Sequence, residues 1–482
     1  MQTNTHVNKF PAKGWSRRDF LASAAASGAG LFTPPVLASP DSGHREFTLS
    51  PAQTLLRLVP EPHPRTEVWS YNGLVPGPEI RIRQGERLRV RVQNSLTQST
   101  TVHWHGIRVP NAMDGVPHLT QAPIEPGAYF DYEFDALDAG TFWYHPHQRS
   151  FEQVARGLYG PLIVEEKEPL RVDRDITWVL DDWRLTPSAE IHNSFGDRRD
   201  MTHNGRVGNT VTINGQILES FAVRAGERIR LRLINAANAR IFGLQFDQHE
   251  PIIVAFDGQP VTPHAPGNGM VVVGPAMRVD LVIDMTQKPG AKSVVTDRYY
   301  RGREYRMLDF NYADAALRPA PPLWSLSMEP NPLAEPDLMS ARRHKITFDG
   351  GMMGNMAMMD MRAGKAWFIN GVAALGHKVK PMLTLALGQS CVLAMHNATA
   401  WHHPIHLHGH TFRVISRNQQ PTRYREWQDT VLMAPDERVE IAFVADNPGD
   451  WMFHCHILEH QASGMMGVVR VSGKDPASNK TI

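Results

Sequence analysis

Segments such as Glu86-Arg87-Leu88-Arg89-Val90-Arg91-Val92 and Glu227-Arg228-Ile229-Arg230-Leu231-Arg232-Leu233 alternate apolar and polar residues with period two. That is the pattern of a strand burying one face. Each is opened by a glycine and closed by an asparagine, and the unit occurs three times. The copies are Asn72-Gly73 with Gly85 and Asn94, Asn214-Gly215 with Gly226 and Asn235, and Asn370-Gly371 with Gly388 and Asn397. In every copy the second glycine and the later asparagine are nine residues apart. A repeated unit of turn and half-buried antiparallel strand predicts an all-β chain of three β-sandwich domains. They are placed at 45–166, 167–320 and 366–475, with a linker over 321–365.

Nine residues beyond the closing asparagine the copies diverge. The first has His103-Trp104-His105, the third His406-Leu407-His408, and the second Leu244-Gln245-Phe246. Gly140 precedes His145-Pro146-His147 by five residues, as Gly449 precedes His454-Cys455-His456. Residues i and i+2 of a strand share a face, so each pair aims two imidazoles into one space. Eight imidazoles without a carboxylate suit copper or zinc rather than calcium or magnesium. The first and third domains are therefore paired metal-binding units, and the middle one has no ligands at these positions.

The third domain adds a different constellation. Cys455 lies between two of the histidines, with His403 upstream, His460 five residues on and Met465 five further. Two histidines, a thiolate and a weak axial methionine describe a blue-copper electron-transfer site. The matching first-domain positions hold Thr100, Pro146, Phe151 and Leu158, so this mononuclear site is expected once.

Composition narrows the classes. Only two cysteines, Cys391 and Cys455, stand against 23 histidines and 21 methionines. A disulfide scaffold and a zinc-finger array are excluded. A formal charge of +1 offers no footprint for nucleic acid, and no apolar run is long enough for stable membrane insertion. Residues 1–38 read as a leader: Ser16-Arg17-Arg18-Asp19-Phe20-Leu21, an alanine-rich apolar run, then Val36-Leu37-Ala38 before Ser39. They resemble a bacterial Tat signal peptide, which implies export to the periplasm by the Tat machinery. Four basic residues and one acidic residue leave with this segment, taking the net charge from +1 to −2.

The histidine signatures resemble those of three-domain bacterial multicopper oxidases of the laccase and cuprous-oxidase group, over essentially the whole mature chain. They read His-Trp-His-Gly at 103–106, His-Pro-His at 145–147, His-Pro-Ile-His-Leu-His-Gly at 403–409 and His-Cys-His-Ile-Leu-Glu-His-Gln-Ala-Ser-Gly-Met at 454–465. The resemblance implies cupredoxin-like Greek-key sandwiches and four copper ions. Type 1 copper would take His403, Cys455, His460 and Met465, and type 2 copper His103 and His406. The binuclear type 3 site would take His105, His145, His147, His408, His454 and His456. It also implies one-electron oxidation of Cu(I) or a phenolic reductant coupled to four-electron reduction of O2 to water, with Cys455 as the wire and Asp114 supplying protons. The chain departs from the family where Gln461 follows the last type 1 histidine, a place that often holds Glu. A monomer is expected.

The segment 352–361 contains Met352, Met353, Met356, Met358, Met359 and Met361, together with Asp360. Thioethers are soft ligands for Cu(I); the segment is either a Cu(I) substrate site or a flexible apolar cover. In the second case the enzyme is a phenol or aromatic amine laccase whose methionine run is purely structural. Trp401 and His402 either shape the rim of the type 1 pocket or are a packed aromatic and a solvated histidine. Asp429 is expected either to orient a type 1 histidine or to form a turn, and Cys391 to be a buried free thiol.

Overall fold

A computed structural model describes residues 44–353, 359–376 and 379–473. Three β-sandwiches follow one another along them. The first combines a three-stranded sheet, a four-stranded sheet and a hairpin, the second a six- and a five-stranded sheet, and the third a seven- and a five-stranded sheet. The leader lies outside the described residues.

The threefold repeat extends to individual hydrogen bonds. Asn72, Asn214 and Asn370 adopt φ of 56°, 51° and 49°, a left-handed turn that asparagine tolerates. Each side-chain oxygen accepts from a neighbouring backbone N–H, that of Ser50 between two strands or of Val179 or Thr347 within one. The closing Asn94, Asn235 and Asn397 are buried, and each staples a following loop: Asn94 donates to Ile124, Asn235 to Val273 and Asn397 to Ala434. Because these contacts satisfy buried backbone carbonyls, the asparagine recurs where the strand ends.

Each alternating strand has one antiparallel and one parallel neighbour, where antiparallel pairing alone was expected. Arg87–Gln93 runs parallel to His44–Leu49, Arg228–Asn235 to Arg174–Trp183, and Gln389–Asn397 to Arg342–Gly350. The last pairing corrects the expected linker: 342–350 is a strand of the third sandwich. In the first copy Leu88, Val90 and Val92 are fully buried while Arg91 pairs with Asp131 on the surface. Burial of each such side chain stabilises the sandwich by about 1.5–3 kcal/mol. In the middle copy the polar face is covered too. Arg230 and Arg232 are buried against Asp280, because the second sandwich packs there on the first.

The histidine strands lie where these sandwiches meet. His103 faces His145 across the ladder of His103–His105 and Gly140–His145, and His406 faces His454 across His403–Leu407 and Gly449–Cys455. The equivalent middle strand, Phe242–Phe246, puts Leu244 and Phe246 into the core of its own sandwich.

Candidate metal centres

The eight histidines of the four pairs converge in one buried space between the first and third sandwiches. Ligand atoms of His103, His105 and His406 lie within 4.8 Å of one another, as do those of His103, His147 and His408 and of His105, His145 and His456. Rings from the two domains stack in pairs, His103 on His408 at 3.9 Å and His105 on His406 at 3.8 Å. Burial first, and neighbouring imidazoles second, hold His105, His145, His147, His408, His454 and His456 well below the ordinary histidine value. These rings are neutral at pH 7, and each carries one lone pair.

Hydrogen bonds fix where those lone pairs point. His103 Nδ1–H donates to the Asp114 carbonyl at 2.7 Å and His406 Nδ1–H to the Asp429 carbonyl at 2.8 Å. Both Nε2 atoms are left buried with no hydrogen-bond partner. His408 Nδ1–H donates to the Asp114 carboxylate at 2.9 Å, and His105 Nε2–H to the Asp429 carboxylate at 3.1 Å. Asp114 and Asp429 are thus near-symmetric counterparts. Asp429 contacts His105 and His406, not the type 1 candidates, which corrects the expectation that it orients a type 1 histidine. Its carboxylate faces the larger cluster because Thr430 pairs with His406 on the adjacent strand.

His454 Nδ1–H donates to the Cys455 carbonyl at 2.9 Å. His408 Nε2 and His454 Nε2 then face each other 3.1 Å apart as two lone pairs with no proton between them. Two buried acceptors at that distance repel unless a cation joins them. This donor set fits copper: the neutral nitrogens converge, and their opposite edges are already held.

A second group lies in the third sandwich. His403 Nδ1 and His460 Nδ1 are 3.1 Å apart, with Cys455 Sγ at 3.4 and 3.7 Å from them. The far edge of His460 donates to the His203 carbonyl at 2.6 Å, and that of His403 to Thr399 Oγ1 at 2.8 Å. Thr399 in turn donates to Asn397 at 2.8 Å. Burial lowers His460 to about 3 and pushes the Cys455 thiol well up, so a thiolate there requires a bound cation. Met465 is buried in the same core, and the Trp367 ring packs on His460 at 4.1 Å.

The remaining expected residues fall around these groups. Gln461 lies 3.5 Å from His147 Nδ1. Trp401 donates to the Met352 carbonyl and packs edge-on against His203, and His402 lies beside Tyr299. Met353 is exposed, while Met359 and Met361 pack against the third core; Met356 and Met358 lie outside the described residues. Asp360 accepts from Ala363 N–H and caps a short 3-10 turn. Cys391 is a buried free thiol, pushed up to about 12 by burial. Sequence reasoning missed what the middle domain contributes: the His203 carbonyl over His460, and Arg278, buried against Asp429. A backbone carbonyl leaves no mark in sequence, and Arg278 is one arginine in another alternating strand.

Multicopper oxidase family models match residues 56–169, 174–311 and 351–475. The chain is 31% identical to the multicopper oxidase MmcO of Mycobacterium tuberculosis over 96% of its own length and 97% of that protein's. It is 26% identical to a copper resistance protein A homolog of Pseudomonas syringae pv. tomato, covering 95% and 99% of the two chains. Among solved structures, the multicopper oxidase of Pseudomonas thermotolerans matches with a TM-score of 0.80 and 35% identity, over 89% of this chain and 99% of that one. The chain belongs to the multicopper oxidase family and is accordingly an oxidoreductase of three cupredoxin-like domains that works with four copper ions and dioxygen.

Proposed function

We propose that the enzyme oxidises Cu(I), and secondarily phenols, at a type 1 centre of His403, Cys455, His460 and Met465. His103 and His406 would hold the type 2 ion, and His105, His145, His147, His408, His454 and His456 the type 3 pair, of a trinuclear centre that would supply the four-electron reduction of dioxygen to water. The observation that carries the assignment is the pair of facing lone pairs on His408 and His454, 3.1 Å apart in a fully buried space. Bound copper supplies one-electron redox chemistry and the reduction of dioxygen.

The chain's own residues do the rest. Cys455 is covalently continuous with His454 and His456, so the residue that receives an electron is bonded to two that hold the type 3 pair. Asp114 holds the proton on His408 Nδ1 and is the carboxylate placed to pass protons inward; Gln461, an amide, cannot act as an acid.

Cu(I) is favoured over a bulky phenol because the imidazole edge of His460 is closed by the His203 carbonyl. Trp401 meanwhile ties the start of the methionine segment to this cover through the Met352 carbonyl. A small soft ion held by Met352, Met353, Met356, Met358, Met359, Met361 and Asp360 fits that approach. The name of the copper resistance relative supports it. Export through the Tat pathway and work as a periplasmic monomer complete the reading; among the described residues no helix is long and apolar enough to cross a membrane.

The test is oxygen uptake with Cu(I) and with a phenol, for the intact chain and for one lacking 352–361. Selective loss of Cu(I) oxidation is expected. Equal loss of both activities, or none, would refute a cuprous role for the segment.

A further inference from the structure

The middle domain holds none of the expected ligands, yet its Arg278 is fully buried within reach of the cluster. All five guanidinium N–H donors are used. Nε donates to the Thr141 carbonyl of the first domain at 3.0 Å. Nη1 donates to Asp429 Oδ1 at 2.8 Å and to the Ala276 carbonyl at 3.3 Å, and Nη2 to Asp429 Oδ2 at 2.5 Å and to the Asp257 carbonyl at 3.0 Å. The Asp257 carboxylate accepts from the backbone N–H of Arg278 on one oxygen. On the other it accepts from the N–H groups of Asp429 and Thr430. One residue pair of the second domain therefore grips both the backbone and the carboxylate of Asp429 while touching the first domain.

What Asp429 does with that grip is specific. Its carboxylate accepts from His105 Nε2–H, leaving Nδ1 facing the cluster without a partner among the described residues, and its carbonyl accepts from His406 Nδ1–H. Its counterpart Asp114 has histidine partners and, among the described residues, no arginine. Gly106, the glycine of the His-Trp-His-Gly run, sits where any Cβ would strike both the Arg278 guanidinium and the Asp429 carboxylate. The small residue is required because this clamp passes through its place.

We infer that Arg278 is a positioning residue for the trinuclear copper site: through Asp429 it fixes which nitrogens of His105 and His406 face the metal. A bidentate guanidinium–carboxylate pair holds a plane as well as a distance; an ammonium holds only a point charge. The inference rests on the copper assignment above. If that assignment fails, the unaltered chain does not load the cluster; if only this inference fails, the unaltered chain and the variants load alike.

The test compares Arg278→Lys, Arg278→Met and the double variant Arg278→Met/Asp429→Asn with the unaltered holoenzyme. Copper per chain, the type 2 electron paramagnetic resonance signal, the blue type 1 colour and the melting temperature are read together. Removing both members of the Arg278–Asp429 pair strands less charge than removing one, leaving only Asp257, which Arg278 also approaches at 3.4 Å, so the double variant keeps the test valid if Arg278→Met does not fold. Arg232→Met, another buried arginine that bonds the first domain at Thr141 and pairs with Asp175 and Asp280, is the control for domain docking. We expect the Arg278 variants to retain the blue colour but release type 2 copper to a chelator at least about tenfold more readily, with Lys between Met and wild type. Full cluster loading in the double variant, parallel loss of type 1 and type 2 copper, or the same loss in Arg232→Met would overturn the inference.

Discussion

Replacing Thr399 with valine tests how His403, the proposed type 1 ligand, is set. Valine keeps the branched shape, so no cavity forms in a site where Thr399 is almost fully buried. The hydroxyl that accepts from His403 Nε2 at 2.8 Å is lost. Asn397 Oδ1 keeps its other donor, the Thr399 N–H at 3.1 Å, so the change falls on the two donors to the hydroxyl, His403 and the Trp401 backbone N–H at 3.2 Å. The His403 Nε2–H is left buried and unpaired, at about 1–3 kcal/mol. The ring can escape by moving its proton to Nδ1, which points at Cys455 Sγ 3.4 Å away and is the atom needed for copper. In the second case copper binding must return the proton to the unpaired Nε2 and is weakened by up to that span, and 1–3 kcal/mol corresponds to roughly 5- to 150-fold in affinity; in the first the loss falls on stability instead. Losing a group that orients a metal ligand typically costs 10–100-fold, inside that range. The assay is competition with a copper chelator, following the blue colour, for Thr399→Val and Thr399→Ser. Serine retains the acceptor and should lie near wild type. Equal affinity in valine and wild type, or equal loss in serine and valine, would refute the assignment of the His403 proton to Nε2.

Three further outcomes follow from the same geometry. Cys455→Ser should abolish the blue colour and substrate oxidation while leaving melting within a few degrees, since the thiol is small and well packed; a retained blue band would remove Cys455 from the site. Asp114→Asn should slow reoxidation of the fully reduced enzyme on the order of a hundredfold while reduction of type 1 copper by substrate is unchanged, measured by stopped flow; unchanged reoxidation would end its role in proton supply. Metal-free protein should lose stability as pH falls below about 6.5. There the unfolded chain takes up protons that the buried rings, with values lowered on folding, refuse, at about 1.4 kcal/mol per pH unit for each ring. A denaturation midpoint unchanged between pH 7 and 5 would contradict that sign.

The repeat and the histidine pairs were legible in sequence because their geometry is local. A turn asparagine, a nine-residue spacing from glycine to asparagine and an i, i+2 pair each fix a face without reference to distant residues. The equivalence of Asp114 and Asp429 was concealed by spacing: their carbonyls serve histidines 11 and 23 residues earlier. Arg278 was invisible for a related reason, since its partners Thr141 and Asp429 lie 137 and 151 residues away and meet only when three domains pack. The polar face of the middle repeat was misread because period-two alternation does not say whether the polar face meets water or another domain.

The His203 carbonyl, the first-domain histidines and the Arg278 clamp make the copper sites a property of the finished chain. Domains one and two folded alone would present half a set of imidazoles, and domain three alone would lack the group that sets the proton of His460. Copper uptake therefore reports that the three sandwiches have docked in register, and a chain that lacks its last sandwich retains only the four first-domain imidazoles of the larger cluster.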